Sequence, residues 1–211
     1  ISIRLVGSEM CIRDRGSTVI KGILKKTKVD PLEIDEVILG QVLPSLGGQN
    51  PARQALIKSG IPKEKTAFNI NQVCGSGLRA IVLGYQSIGM GSSKFVIAGG
   101  QESMSNSDEK EMLTNGLIDA FNNYHMGVTA ENVAEKFNIS RDEQDHFALD
   151  SQSKTENSIK SKKFLSEIID NNQDEHPRFN LNIESLKKLK PAFKKDGTVT
   201  VSYTHLTLPT T

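Results

Sequence analysis

The fold is decided by residues 66–100, which read TAFNINQVCGSGLRAIVLGYQSIGMGSSKFVIAGG. Apolar and β-branched side chains without an interrupting proline predict a strand over residues 67–73. Apolar residues then recur at helical spacing, and glycines predict that this helix ends at residues 89–91. The unbroken apolar run at residues 95–98 predicts a parallel strand covered on both faces. The stretch is therefore a βαβ unit with Cys74 in its first turn.

The turn between strand and helix carries Cys74, followed by Gly75, Ser76 and Gly77. Two glycines allow a sharp turn and let backbone N–H groups approach a ligand closely. Unpaired amides and the positive end of the helix dipole favour a thiolate, the nucleophilic form of cysteine, and could also hold an oxyanion. From the residues alone, a nucleophile and a buried apolar filler both remain open. No partner at ligand spacing supports a metal site at Cys74.

Composition excludes several classes of protein. The 211 residues carry a net charge of +1 and only 5% aromatic residues, so neither a basic excess nor a stacking platform indicates nucleic-acid binding. No apolar run approaches the length of a membrane span. Two widely separated cysteines do not make a disulfide framework. We therefore expect a cytoplasmic protein with no nucleic-acid or membrane partner.

The order of elements before residue 100 predicts an α/β protein. Ser17 is expected to cap a helix that extends to residue 29, residues 34–39 have strand character, and Pro51 suits the first turn of a second helix. Together with the βαβ unit, the alternation of helices and strands predicts a mostly parallel sheet covered by helices.

The chain after residue 100 has a different composition. Residues 105–114 are polar and suit a surface segment. Thr129 and Ser140 are expected to be the N-caps of two further helices, the second of which extends to about residue 162.

Two motifs resemble those of one enzyme family. Residues 71–80, NQVCGSGLRA, resemble the nucleophilic-cysteine motif of thiolases, and residues 99–105, GGQESMS, resemble the motif that follows it in that family. The resemblance is to thiolases of the biosynthetic type. It implies a thiolase-like fold, with the N-terminal half of a mostly parallel sheet, covering helices and an inserted loop domain. It also implies that Cys74 takes an acyl group from acyl-CoA as a thioester.

The resemblance continues in HMG at residues 125–127 and in TAEN at residues 129–132. In thiolases this loop lines the pantetheine tunnel, which implies that His125 and Met126 lie over the acyl end and Leu117 nearer the body of CoA. Arg178 corresponds to a contact with the nucleotide end of CoA, and Phe193 to a pocket-lining position. Taken without the resemblance, His125 suits a structural hydrogen bond, Leu117 and Met126 suit core packing, and Arg178 suits a surface charge.

The resemblance covers residues 16–200 and about half of a thiolase. It implies a core over residues 16–103 that lacks the first strand, and a truncated CoA-binding loop domain over residues 104–200. Residues 1–15 and 201–211 look like translated adapter sequence, and we expect them to be non-native flanks.

The implied reaction is condensation of two acetyl-CoA to acetoacetyl-CoA and CoA, or the reverse thiolysis, in fatty acid metabolism. Coenzyme A enters as a thioester substrate, and neither a further cofactor nor a metal is expected. The family assembles as homodimers or homotetramers. The second cysteine motif and the histidine and asparagine motifs of the family's C-terminal half are not found, so the isolated chain is expected to be inactive in the condensation.

Two alternatives remain, and the second belongs to another class of function. A β-ketoacyl synthase-like condensing enzyme also uses a cysteine at such a turn, but takes its acyl group from a carrier protein. A non-catalytic CoA-binding module would bind CoA without a reactive Cys74.

Overall fold

The computed structural model describes residues 12–44, 47–169, 174 and 176–205. Cys11 and most of the two expected flanks lie outside these residues. The described chain divides into two compact units. The first holds the described residues up to Gly116 together with residues 166–169, and the second holds Leu117–Leu165 and the described residues from 174 onward.

The first unit is built on a three-stranded parallel sheet with the order β2-β1-β3. The strands are β1 (Glu36–Gly40), β2 (Thr66–Ile70) and β3 (Val96–Gly100). All three run in the same direction, so their carboxyl ends meet at one edge. The central β1 is buried from residue 37 onward, whereas β3, predicted to be covered on both faces, is an edge strand and only partly buried.

Helices cover both faces of this sheet. The first unit contains α1 (Ile12–Thr27), α2 (Pro51–Ser59), α3 (Ser76–Gly89) and the short α4 (Glu109–Met112). Val37 and Leu39 pack into the core shared with α1 and α2, and strand alternation places Ile38 on the other face, where α3 contacts β1 and β3. The core cluster consists of Ile20, Leu24, Ile34, Val37, Leu39, Ala52, Ala55, Leu56 and Ile61. This architecture confirms the predicted α/β class with a parallel sheet.

Two boundaries in the first unit differ from the predictions. α1 begins at Ile12 and not at Ser17, because the Ser17 hydroxyl donates to the carbonyl of Asp14 inside the helix, at 3.0 Å, and does not cap it. β2 ends at Ile70 and not at residue 73, because Asn71 begins a turn in which its Oδ1 accepts from the amide of Val73 at 2.9 Å. Cys74 is therefore preceded by a structured turn and not by an extended strand.

The second unit is helical, with α5 (Met126–Phe137), α6 (Arg141–Lys160) and the short α7 (Ile183–Lys187). Ser140 caps α6 as predicted, and Glu143 completes a reciprocal capping box. The predicted cap at Thr129 is wrong, because the N-cap of α5 is His125, four residues earlier. Across both units, no helix of the described chain is long and apolar enough to cross a membrane.

Candidate active site

Cys74 lies in the turn that joins β2 to α3, at the carboxyl edge of the sheet. Gly75 is the N-cap of α3, so Cys74 immediately precedes the cap. Its side chain is exposed and its thiol is free. An exposed sulfur does not suit the alternative of a buried apolar filler. The N–H groups of Gly77 and Leu78 lie in the first turn of α3, where amides have no helical acceptor within reach.

The residue before Cys74 has an unusual backbone conformation. Val73 has a φ of 48°, in the left-handed region that β-branched residues avoid. Such a conformation costs about 1–3 kcal/mol and persists only when its surroundings hold it. Here the amide of Val73 donates to Asn71 Oδ1 at 2.9 Å, and the amide of Gly75 donates to the carbonyl of Gln72 at 3.0 Å. Sequence patterns did not predict this strain, because they carry no information on φ at a non-glycine residue.

Ser76 is a second feature of the turn that sequence reasoning missed. Its hydroxyl accepts from the amide of Gln72 at 2.8 Å and donates to the carbonyl of Val73 at 2.6 Å. The residue is only 4% exposed. The hydroxyl thus ties the two residues before Cys74 to the first residue of α3.

The end of β1 comes into close contact with the start of α3. A Cβ on Gly40 would lie 2.5 Å from the amide nitrogen of Gly77, closer than any side chain can approach backbone. Glycine is therefore required where the central strand meets the first turn of the helix.

A depression of about 350 Å³ opens at this edge, and Cys74 is among the residues that line it. Glu102, which follows β3, forms another part of the wall. Its carboxylate accepts from the amides of Val42 at 2.8 Å and Leu43 at 3.3 Å. Burial raises the pKa of Glu102 and outweighs these hydrogen bonds, which favour the charged form. Glu102 belongs to the motif at residues 99–105, but its contact with the loop after β1 is visible only in the tertiary structure.

A network of amide side chains joins the ends of the three strands beside the depression. Gln41 Oε1 accepts from Asn69 Nδ2 at 2.9 Å and from Gln101 Nε2 at 3.1 Å. Gln41 Nε2 donates to the carbonyl of Leu43 at 2.9 Å, and Asn69 Oδ1 accepts from the amide of Ala52 at the start of α2. The amide oxygen of Gln101, Oε1, is buried without a hydrogen-bond partner among the described residues, so the network is not fully satisfied.

The remaining predicted site residues belong to the second unit. His125 Nδ1 accepts from the amide of Gly127 at 2.9 Å, and its ring stacks on Phe193 with centroids 5.0 Å apart. Phe193 in turn meets the ring of Tyr203 edge-on, at 5.1 Å. Met126 begins α5 next to His125 and is 42% exposed. The structure thus brings His125, Met126 and Phe193 together.

Leu117 and Arg178 have different surroundings. Leu117 is half-buried, and the following residue, Ile118, forms an antiparallel bridge with His125, so the Leu117 segment lies beside the histidine. Arg178 is exposed, and its backbone amide donates to Oε1 of Gln152 on α6 at 2.8 Å. The backbone of Arg178 is therefore anchored to α6, and its guanidinium belongs to an exposed residue.

Fold and site together define an α/β protein that presents a free cysteine at a strand-to-helix turn, on the carboxyl edge of a parallel sheet. Comparison with known protein families identifies the family to which this fold and site belong. The profile of the family described as the N-terminal domain of thiolase matches residues 4–204. The chain belongs to the thiolase family, which confirms the family that the sequence motifs indicated.

Individual relatives agree with this assignment. The acetyl-CoA acetyltransferase of Rhizobium meliloti is 48% identical, over 88% of this chain and 54% of that protein. A probable acetyl-CoA acyltransferase of Staphylococcus aureus (strain COL) is 46% identical, over 89% of this chain and 55% of that protein. The crystal structure of the Bacillus anthracis acetyl-CoA acetyltransferase has a TM-score of 0.86 at 32% identity, over 95% of this chain and 59% of that one.

These comparisons confirm the thiolase-like fold and do not favour the β-ketoacyl synthase or CoA-binding alternatives. The chain spans about half the length of the curated relatives it matches.

Proposed function

We propose that this chain contributes the acyl-accepting cysteine of an acyltransferase that condenses two acetyl-CoA to acetoacetyl-CoA and CoA, or runs the reverse thiolysis. The observation that carries the proposal is the exposed thiol of Cys74 at the start of α3 in a member of the thiolase family. A free sulfur beside first-turn amides is suited to attack a thioester carbonyl.

In the first half-reaction, the sulfur of Cys74 loses its proton and attacks the carbonyl carbon of acetyl-CoA. A new C–S bond forms, and electrons move to the carbonyl oxygen, which backbone N–H groups of the turn and the first turn of α3 can stabilise. The oxyanion then collapses, the C–S bond to CoA breaks, and CoA leaves as a thiolate that takes up a proton. The product is an acetyl thioester on Cys74.

In the second half-reaction, a base removes a proton from the methyl group of another acetyl-CoA, and the resulting carbanion attacks the acetyl thioester. A C–C bond forms and the Cys74 thiolate is released. The chain contains two cysteines, Cys11 and Cys74. Neither the family's second cysteine motif, which supplies the acid/base, nor the motif of the histidine that activates the nucleophile is found in the sequence. We therefore propose that the purified 211-residue chain accepts an acetyl group but does not complete the condensation.

We propose substrate contacts for the five predicted residues of the second unit. Because Nδ1 of His125 accepts from Gly127, its Nε2 carries the proton in the neutral ring and can donate to a substrate carbonyl. Met126 and Leu117 would supply apolar contacts to the acyl and pantetheine parts. Phe193, which stacks on His125, would line the substrate pocket. The exposed guanidinium of Arg178 suits a phosphate of CoA.

The remaining expectations rest on the family and, for the cytoplasmic location, on the two widely separated cysteines. We propose a cytoplasmic enzyme of fatty acid metabolism that takes coenzyme A only as a thioester substrate and needs no further cofactor. The whole enzyme would be a homodimer or homotetramer. Light scattering on the protein encoded by the longest open reading frame that contains this sequence would measure its oligomeric state.

The central proposal is tested by acetyl transfer to the purified chain. In a Cys11→Ser background, incubation with acetyl-CoA should add one acetyl group to the peptide that contains Cys74, with release of an equal amount of CoA. Mass spectrometry of the digested chain measures the first quantity, and a thiol reagent measures the second. The Cys74→Ser variant is the control, and it should fold equally well because the side chain is exposed.

Two results would contradict the proposal. Binding of CoA without acetylation would favour the CoA-binding module. Acetylation from an acetylated carrier protein, but not from acetyl-CoA, would favour the β-ketoacyl synthase alternative.

A further inference from the structure

The carbonyl of Val73 receives two hydrogen bonds from one residue. The amide of Ser76 donates to it at 3.1 Å and the hydroxyl of Ser76 at 2.6 Å. The same hydroxyl accepts from the amide of Gln72 at 2.8 Å. Because Ser76 is only 4% exposed, water has little access to compete for these bonds.

These bonds also orient the amide of Cys74. The carbonyl of Val73 and the N–H of Cys74 belong to the same peptide group, and in a trans peptide they point in opposite directions. Since the carbonyl points to Ser76 at the start of α3, the N–H of Cys74 points away from the first turn of that helix. Val73, Cys74 and Ser76 all line the same depression.

The arrangement needs such a restraint, because Val73 holds a φ of 48°. β-branched residues avoid the left-handed region, so an unrestrained Val73 would return to an extended or right-handed conformation. Either change would rotate the peptide that follows and turn the Cys74 amide in another direction.

We infer that Ser76 is a positioning residue for acyl transfer. Its hydroxyl fixes the Val73–Cys74 peptide so that the Cys74 N–H is available to the carbonyl oxygen of an acyl group on the sulfur. The inference rests on the proposed function, because only an acyl-transfer reaction develops negative charge on such an oxygen.

The test compares two reactions of the same sulfur in a Cys11→Ser background. Acetyl transfer from acetyl-CoA passes through an oxyanion, whereas alkylation by iodoacetamide is a direct displacement that develops none. Ser76→Ala should lower the rate of acetyl transfer at least about tenfold and lower the alkylation rate clearly less. Hydrogen exchange of the peptide that covers residues 71–77 should become faster, while exchange in β1 stays unchanged.

Ser87→Ala is the matched control. Ser87 lies near the far end of α3, and its hydroxyl also bonds to a neighbour, Ser93 Oγ, at 2.9 Å. This variant should leave both rates within about twofold of wild type. If Ser76→Ala alone fails to fold, Val73→Gly is added to it, because glycine adopts a positive φ without strain. The double variant should fold and still transfer acetyl slowly.

The outcomes separate the inference from the proposed function. If the wild-type chain is acetylated and Ser76→Ala transfers acetyl at a rate within twofold of wild type, the inference alone is overturned. An equal loss of transfer and alkylation would also overturn it, since Ser76 would then have only a structural role. A wild-type chain that acetyl-CoA does not acetylate would overturn the proposed function and this inference with it.

Discussion

The ring of His125 lies on the ring of Phe193, with centroids 5.0 Å apart and planes inclined by 20°. The contact depends on Gly127, because a Cβ at that position would overlap the Phe193 ring. His125 also caps α5 through Nδ1, so one side chain takes part in a ring stack and a helix cap. Two residues that the family resemblance assigns separately to the substrate are thus parts of one structure, and substitutions at either will affect the other.

Phe193→Ala should destabilise the second unit. The substitution removes contacts with His125 and Tyr203 and leaves a cavity at a half-buried position, so we expect the free energy of unfolding to fall by about 2 kcal/mol. Urea unfolding monitored by circular dichroism measures this change. Phe121→Ala is the control: its side chain is 96% exposed, and the expected change is within about 0.5 kcal/mol. Equal effects of the two substitutions would contradict the role assigned to the ring stack.

Gly40→Ala should disturb the turn that carries Cys74. The added methyl group would collide with the backbone of Ser76 and Gly77, so α3 must move away from the end of β1. We expect a loss of about 1–3 kcal/mol in the free energy of unfolding. Gly99→Ala, in the neighbouring strand, places its methyl group where no atom lies within 4 Å, and stability should change little. A crystal structure of Gly40→Ala with α3 unmoved would contradict the explanation.

Asp35 should make the stability of the first unit depend on pH. The amides of Lys94 and Phe95 donate to its carboxylate at 2.7 and 3.1 Å and lower its pKa, and Lys65 adds a smaller effect. An acid whose folded-state pKa is lowered stabilises the fold above its ordinary pKa, and this contribution is lost as the pH falls through the folded-state value.

The variant that tests this effect is Asp35→Asn, which keeps an acceptor but not the charge. Its midpoint of thermal unfolding should lie below that of wild type at pH 7. The two midpoints should converge as the pH falls below the ordinary range of a carboxyl group. A difference that is constant over this range would show that charge at Asp35 is irrelevant.

Ser140→Ala should weaken α6 by about 1 kcal/mol, because the hydroxyl accepts from the amide of Glu143 and forms half of a capping box. Thr129→Ala provides the comparison, since Thr129 lies inside α5 and not at its end. Alanine has the higher helix propensity, so this second change should be neutral or slightly stabilising. Hydrogen exchange of the first turn of each helix distinguishes the two cases. A larger effect at Thr129 would support the cap that the sequence suggested and the structure does not contain.

The elements predicted from the sequence agree with the structure where the pattern involves residues that are close together along the chain. The apolar spacing after Cys74 predicted α3, and Ser140 with Glu143 predicted the start of α6, because both patterns involve residues within one or two turns of each other. Prediction failed at the starts of α1 and α5. The hydroxyls of Ser17 and Thr129 suit a cap, but both residues lie inside longer helices.

By itself, the sequence determined the βαβ unit, the position of Cys74 in its turn, and membership of the thiolase family. Only the tertiary structure decided that Val73 has a positive φ, that Ser76 holds it there, and that Gln41 joins Asn69 and Gln101 across the ends of three strands. There are two physical reasons. Gln41 contacts residues 28 and 60 positions away along the chain, beyond the reach of periodicity and turn chemistry. The bonds between Ser76 and Val73 are local, but they accompany a positive φ that the residue type valine does not indicate.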